Sequence, residues 1–327
     1  LEVERLDAIT SGLVAYYTFD ESEGEILQDS SGNNINGTLE SFDEGFGVPG
    51  RIGGAIAFDG DDDLVSVPHN DLLNLANEAT VSLWMNIEEF ASYDRVFRKA
   101  VNFDMVLLGG GVIRTHGVNK TPYSSPGNTW EVGTWQHYAF VYKGGKVQWF
   151  KNGEAVGQAL LAQLGAVNSD PLIIGNYGPD LEIARLYDGM LDDMGIWQRG
   201  LSEVEISGIY QNGLAGKPLN EEFEPLNIKA ISMNEVNVNI EFYSPFSSRN
   251  YVVETKPGLG LQEWAEQAGV ELGDLGNGDY KATFSRDQNA NNFYRVVALD
   301  PPPVFFDDFE AGGEGWTHGG AEDNWEL

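Results

Sequence analysis

The sequence predicts an all-β fold, and two observations carry that expectation. Gly and Pro supply 40 and 13 of the 327 residues, about one in six, which favours many short elements separated by turns. Between the turns lie short runs rich in β-branched and aromatic residues, several alternating apolar and polar types with the period of two that a half-buried strand requires. At roughly 100–200 residues per domain the length suggests about two domains. With 42% apolar residues, packed cores are expected despite the charge.

The elements follow in order. Residues 13–20 read as a strand ending at Asp20, before the turn-rich stretch from Asp29 to Gly37. Further strand-like runs occur at residues 55–58, 64–67, 80–87, 135–142, 146–150, 172–174 and 189–197. In the run at 80–87, Val81, Leu83, Met85 and Ile87 share one face, while Ser82, Trp84 and Asn86 share the other. Gly144-Gly145 between two such runs is a tight hairpin signal. One helix is expected, over residues 201–211. Ser202 and Glu205 form a capping box, Ile206, Ile209 and Tyr210 share a face, and Gly213 is placed to end it in a left-handed conformation. Residues 218–226, with Pro218 and Pro225, read as a linker.

Nineteen Lys and Arg against 51 Asp and Glu give a net charge of −32, which argues against nucleic acid as a partner. Residues 301–327 hold only seven of the acids, so the acidity is spread along the chain and suits a salty or calcium-rich extracellular setting. The absence of cysteine excludes disulfides, thiol nucleophiles and cysteine-bound metals. The apolar runs fall far short of the roughly 18 residues a membrane span needs. No signal peptide stands out, and a start at Leu1 reads as a processed or excised piece of a longer protein.

Taken in order, several motifs resemble the laminin G-like jelly-roll of the concanavalin A-like lectin/glucanase superfamily, related to pentraxins. They are Tyr17-Thr-Phe-Asp-Glu21, the Asp29-Ser-Ser-Gly-Asn loop, Gly54-Ala-Ile-Ala-Phe-Asp-Gly60 with Asp63-Leu-Val-Ser-Val-Pro68, Val81-Ser-Leu-Trp84, Gly133-Thr-Trp-Gln-His-Tyr-Ala139, the Lys151-Asn-Gly153 turn, Leu172-Ile-Ile-Gly175 and Gly189-Met-Leu-Asp-Asp-Met-Gly-Ile-Trp197. The resemblance implies a two-sheet antiparallel jelly-roll sandwich over residues 10–217. A smaller β-sandwich over residues 227–300 is similar to fibronectin type III-like modules of secreted bacterial proteins, through Asn250-Tyr-Val-Val-Glu254, Trp264 and Asn292-Phe-Tyr-Arg-Val296. Residues 301–327 then read as a linker and the incomplete start of a further β-domain.

Glycoside hydrolysis needs two carboxylates at a defined separation, and no Glu-x-Asp-x-Glu strand is present. Asp61-Asp62-Asp63 and Asp192-Asp193 would place neighbours on opposite faces of a strand, so neither reads as an acid/base pair. The histidines His69, His116, His137 and His318 lack metal spacing, and His137 reads as a core residue. Calcium, which takes six to eight oxygens, is the expected cofactor. Asp29 and Asn34 lie in a loop able to present oxygens, the resemblance brings that loop near Asp192, and Asp20 and Asp193 are weaker additions. Against this stands a loop closed by Asx-turns alone. The loop Asn176-Tyr-Gly-Pro-Asp180 lacks the acidic run of the pentraxin double-calcium site.

Sugar rings stack on aromatic faces. Trp84, Trp135, Trp149 and Trp197 read as core, whereas Tyr123, Trp130, Tyr177 and Tyr187 are expected in loops or at strand ends and free to face solvent. Arg114, His116 and Asn119 sit close to Tyr123 and are placed to hydrogen-bond hydroxyl or sulfate groups. The expected function is therefore a non-catalytic, calcium-stabilised carbohydrate-binding module of a larger secreted or cell-surface protein, holding a polysaccharide or glycan. A structural or adhesive spacer making protein contacts, including with neighbouring domains, is the alternative, and a glycoside hydrolase the second alternative.

Overall fold

A computed structural model describes residues 8–91, 93–176, 186–221, 227–234, 236–244, 250–256, 265–276, 279–286, 293–299, 306–310 and 316–319. The chain divides into two compact units, one over Ala8–Glu222 and one that follows it.

In the first unit two antiparallel sheets face each other, as the all-β expectation requires. The first sheet runs Glu154–Leu161, Lys146–Lys151, Gln136–Lys143, Ala79–Glu89, Asp188–Trp197, Gly54–Asp59 and Gly47–Pro49, with Leu13–Tyr17 also paired to Asp188–Trp197. The second runs Pro122–Ser124, Val112–His116, Phe103–Leu108, Arg95–Lys99, Leu172–Ile174, Leu64–Val67, Gly37–Glu40 and Ile26–Leu27. Leu83, Met85 and Ile87 from the first sheet and Phe97, Met105 and Ile113 from the second belong to one buried core. Gly144 and Gly145 both take positive φ, 56° and 72°, the left-handed pair that a two-residue hairpin between Gln136–Lys143 and Lys146–Lys151 demands.

Both faces of Ala79–Glu89 are covered. Its inner residues enter the sandwich core, and Trp84 on the outer face is 2% exposed because the helix α1, Glu203–Leu214, lies over it. Trp84 stacks on Tyr210 of α1 at 5.5 Å and holds Arg51 over its ring at 5.3 Å. The Ser202–Glu205 capping box is present, with the Glu205 carboxylate accepting from the Ser202 N–H at 2.7 Å. The end of the helix differs from the sequence expectation. Gly213 is helical, and Gly216, at φ +70°, is the left-handed residue beyond it. Gly213 serves packing instead, since a Cβ there would come 2.5 Å from the Trp84 indole nitrogen.

The second unit has a four-stranded sheet, Asn227–Met233, Asn237–Tyr243, Asp279–Ser285 and Glu271–Gly276, and a five-stranded one built on Asn250–Lys256 and Phe293–Leu299. Phe242 and Tyr280 from the one meet Tyr251 from the other at 5.2 and 4.7 Å. Trp264 and Asn292 of the expected motif lie outside the described residues. The segment read as opening a further domain joins this unit: Phe306–Glu310 pairs with Phe293–Leu299 and in turn with Trp316–Gly319. An unpaired strand edge is a ready template for the next strand, and a motif read without its partner gives no sign of which sheet it completes.

Candidate functional site

The strands Arg95–Lys99, Phe103–Leu108, Val112–His116 and Pro122–Ser124 form one end of the second sheet. Their registers align residues across it: Arg98 opposes Asp104, and His116 opposes Pro122 while its backbone N–H donates to the Asp104 carboxylate at 2.8 Å. Strand alternation sends Ile113 and Thr115 into the core and leaves Arg114 and His116 on the outer face. On that face lies a cleft of about 240 Å³ lined by Tyr93, Arg95, Arg98, Asp104, His116 and Lys120.

The cleft is a pre-set polar array. Asp104 is buried and ion-paired with Arg95, each side chain 5% exposed. The Nδ1–H of His116 donates to the same carboxylate at 2.9 Å, which fixes the tautomer and turns Nε2 towards the Tyr93 hydroxyl, 3.5 Å away. Arg95 also lies 6.0 Å from the Tyr93 ring centre. Lys120 reaches the cleft from a tight turn in which Asn119 and Lys120 both adopt left-handed backbone, φ 55° and 58°. Side chains with a Cβ avoid that region. The turn is pinned by the Gly117 and Val118 N–H groups, which donate to Thr121 O and Gln163 O at 3.0 Å each. Among the described residues, Arg95, Arg98 and Lys120 line the cleft against one carboxylate, Asp104, on a chain of net charge −32.

Three of the expected ligand residues, Arg114, His116 and Asn119, therefore lie on or beside this face, with the Arg114 Nε–H donating to Ser124 Oγ at 3.0 Å. Tyr123, Trp130 and Tyr187 do not join them. Tyr123 points into the core, 8% exposed, with its hydroxyl accepting the Gln163 N–H at 3.3 Å. It opposes Thr115 in the ladder, and so takes the inner face while His116 takes the outer. Trp130 donates its indole N–H to the carbonyls of Leu108 and Val112 at 3.1 and 2.9 Å and packs on Phe90 at 4.8 Å. It clamps the far end of the hairpin, about 13 Å along the strand from His116 at 3.3 Å per residue. Tyr187 is 1% exposed. Tyr177 lies outside the described residues. Sequence reasoning missed Tyr93, Arg95, Arg98, Asp104 and Lys120, whose signal was the alternation of Ile113 and Thr115 with Arg114 and His116.

The four candidate calcium ligands separate into two places. The Asp29 carboxylate is filled by protein donors: the N–H groups of Tyr16, Ser31 and Ile35 at 3.0, 2.9 and 2.9 Å and the Ser31 hydroxyl at 2.9 Å. It staples its loop as an Asx-turn would, while Asn34 stands exposed at φ 58°. Asp20 and Asp192 are held elsewhere, at the strand Gly54–Asp59 and the turn leading into it: Asp20 accepts from the Gly54 N–H at 2.5 Å and Asp192 from the Ile52 N–H at 2.8 Å.

Asp192 and Asp193 do not point apart. The ladder slips between Asp192 and Gly195, Asp193 takes φ 42°, and this bulge brings the two carboxyls together with the Tyr16 hydroxyl, which donates to Asp193. Burial and mutual repulsion push the Asp192 carboxyl well above the usual range; burial does the same for Asp193, with Asp20 adding to it. Asp192 is wholly buried and its Oδ1 has no hydrogen-bond partner. Among the described residues Asp20, Asp192 and Asp193 do not converge into a three-carboxylate cluster, so the bulge offers a hard cation one free oxygen of Asp192 beside Asp193, and the filled Asp29 offers none.

Residues 59–207 match the laminin G family model described as the concanavalin A-like lectin/glucanases superfamily. No curated protein matches the chain. Among solved structures, the receptor-binding domain of botulinum neurotoxin mosaic serotype C/D is 14% identical, with a TM-score of 0.51 and coverage of 91% of this chain and 88% of that one. Domain 4 of AbnA, an extracellular GH43 arabinanase from Geobacillus stearothermophilus solved with arabinotriose, is 23% identical, with a TM-score of 0.47 and coverage of 59% and 96%. A Trypanosoma rangeli sialidase in complex with 2,3-difluorosialic acid is 12% identical, with a TM-score of 0.50 and coverage of 63% and 34%. The likeness at these identities is one of fold.

Proposed function

We propose that the first unit is a non-catalytic glycan-binding module of a secreted or cell-surface protein, and that its ligand is an anionic sugar chain seated in the cleft of the second sheet. The single observation that carries this reading is a preorganised cationic cleft, Arg95, Arg98 and Lys120 about Asp104 and His116, on an otherwise acidic chain. Guanidinium groups bind carboxylates through a planar fork, and the Tyr93 ring offers a face for a pyranose. The family match over residues 59–207 agrees with a lectin-like role. Binding rather than cleavage is favoured because the one carboxylate in the lining among the described residues, Asp104, is committed to Arg95 and His116, whereas hydrolysis needs a pair. The kinship of the second unit to fibronectin type III-like modules belongs to the same proposal, supported by its two facing antiparallel sheets.

Calcium enters as a structural ion. Asp192 and Asp193, whose carboxyls meet at the bulge, would be its first donors and Asp20, whose charge reaches Asp193, the next, and the ion would supply the positive charge that this acidic group lacks.

A glycan array run with and without calcium tests the reading. Retention of uronic-acid or sialylated chains, lost in Arg98→Ala and Lys120→Ala, is the expected result. Equal retention by both variants moves the site elsewhere. Retention of no glycan at all gives first place to the adhesive-spacer alternative.

A further inference from the structure

The turn between the strands Gly54–Asp59 and Leu64–Val67 carries the chain from the first sheet to the second. Asp59, Asp62 and Asp63 each bring a carboxylate oxygen into this turn, all within 4.8 Å of one another. Charges that close repel strongly unless a cation lies among them. Strand alternation does not apply to them, because Asp62 lies in the bend and Asp63 precedes the strand.

Asp63 adds an independent observation. Its side chain belongs to a residue only 7% exposed. One oxygen accepts the Asp59 N–H at 2.9 Å, and the other, Oδ1, is buried without a hydrogen-bond partner. A buried acceptor left unpaired is costly, and coordination to a metal would satisfy it. A fourth carboxylate stands close by: Asp188 opposes Asp59 in the ladder, and a Cβ built on Gly60, at φ +72°, would meet the Asp188 Cβ at 2.8 Å and its Oδ2 at 3.1 Å. Glycine is required there by both the backbone conformation and the approach of that side chain.

We infer that this turn is a divalent-cation site, formed by Asp59, Asp62 and Asp63, that ties the end of a first-sheet strand to the start of a second-sheet strand. All three donors are oxygens, which selects a hard ion of the calcium or magnesium kind over zinc or copper. Asp59 and Asp62 are exposed, so water completes the shell, and the affinity belongs with extracellular modules, at about 10⁻⁴–10⁻³ M. The site is separate from the one proposed at Asp20 and Asp192. Gly54, bonded to Asp20, and Asp59 are opposite ends of one strand, about 16 Å apart at 3.3 Å per residue.

Calorimetric titration of the full chain with calcium chloride, then with magnesium chloride, tests this. The wild type is expected to show a millimolar-range calcium site that weakens at least tenfold in Asp62→Asn and in Asp59→Asn and persists in Asp192→Asn. Both of the first two positions are exposed, so the fold should survive, and circular dichroism checks it. Unchanged binding in Asp59→Asn and Asp62→Asn, or a single wild-type site abolished by Asp192→Asn alone, overturns the inference. Loss of binding in the turn variants with no effect of Asp192→Asn leaves it standing and removes the Asp192 site instead.

Discussion

Asp29 shows how one carboxylate can be structural in a loop whose composition suggests a metal. Four protein donors already occupy its two oxygens. Removing them leaves partly buried donors unpaired, and Asp29→Ala should destabilise the first unit by about 2–3 kcal/mol. Urea unfolding with and without chelator checks the assignment, because a staple loses the same amount in both conditions and a calcium ligand only when the ion is present. His137 gives a pH dependence of known sign. It is fully buried beside Trp84 and hydrogen-bonded to Ser82 Oγ at 2.7 Å, and burial lowers its pKa from 6.5 to about 3. A depressed pKa contributes stability that is present above 6.5 and lost as pH falls towards 3, at up to about 1.4 kcal/mol per pH unit. The difference between wild type and His137→Gln isolates the histidine: the variant should lose less stability between pH 6.5 and 4. Parallel profiles would show that His137 does not titrate across unfolding.

At the scale of elements, α1 and the strand beneath it were legible in the sequence, whereas the strands that carry the cleft were not. Ser202, Glu205 and the alternation of Val81, Leu83, Met85 and Ile87 are local signals, complete within a few residues. The strands from Arg95 to Ser124 interrupt their pattern with charged residues on the outer face and glycines at Gly109, Gly110 and Gly111, and so resemble loops until the partner strands are known. The same locality explains the displaced tyrosine. Proximity of Tyr123 to His116 along the chain says nothing about which face each takes, and register decides it. In the sequence Asp192 and Asp193 read as pointing to opposite faces because the bulge that brings them together is invisible to period-two reasoning. Gly213 tests the packing of α1. Alanine raises helix propensity by about 1 kcal/mol, yet its Cβ would sit 2.5–2.7 Å from three atoms of the buried Trp84 ring. Overpacking against a rigid indole costs about 1–3 kcal/mol, so Gly213→Ala should lower Tm. A rise in Tm would mean that the helix can lift off the sheet without penalty.

For the whole molecule, the question is how an anionic ligand reaches a cationic cleft on a protein of net charge −32. Two fields of different range compete. The net charge acts over the dimensions of the protein, whereas Arg95, Arg98 and Lys120 act within the cleft. The screening length is about 30 Å at 0.01 M salt, about 8 Å at 0.15 M and about 3 Å at 1 M. At the lowest salt the global repulsion is felt throughout the approach and slows association. Near 0.15 M that repulsion is largely screened while the contacts inside the cleft, a few ångströms long, survive. At 1 M the contacts weaken as well. Affinity for a uronic-acid oligosaccharide should therefore pass through a maximum at intermediate salt, with the gain from 0.01 to 0.15 M appearing in the association rate constant and the later loss in the dissociation rate constant. Surface plasmon resonance at the three salt concentrations resolves the two. Lys120→Ala should keep the rise in association rate, which belongs to the net charge, and lose the increase in dissociation rate between 0.15 and 1 M, which belongs to the cleft. A monotonic fall in association rate from 0.01 M upwards would mean that the cleft field dominates even at long range, and the acidic surface would then play no part in ligand selection.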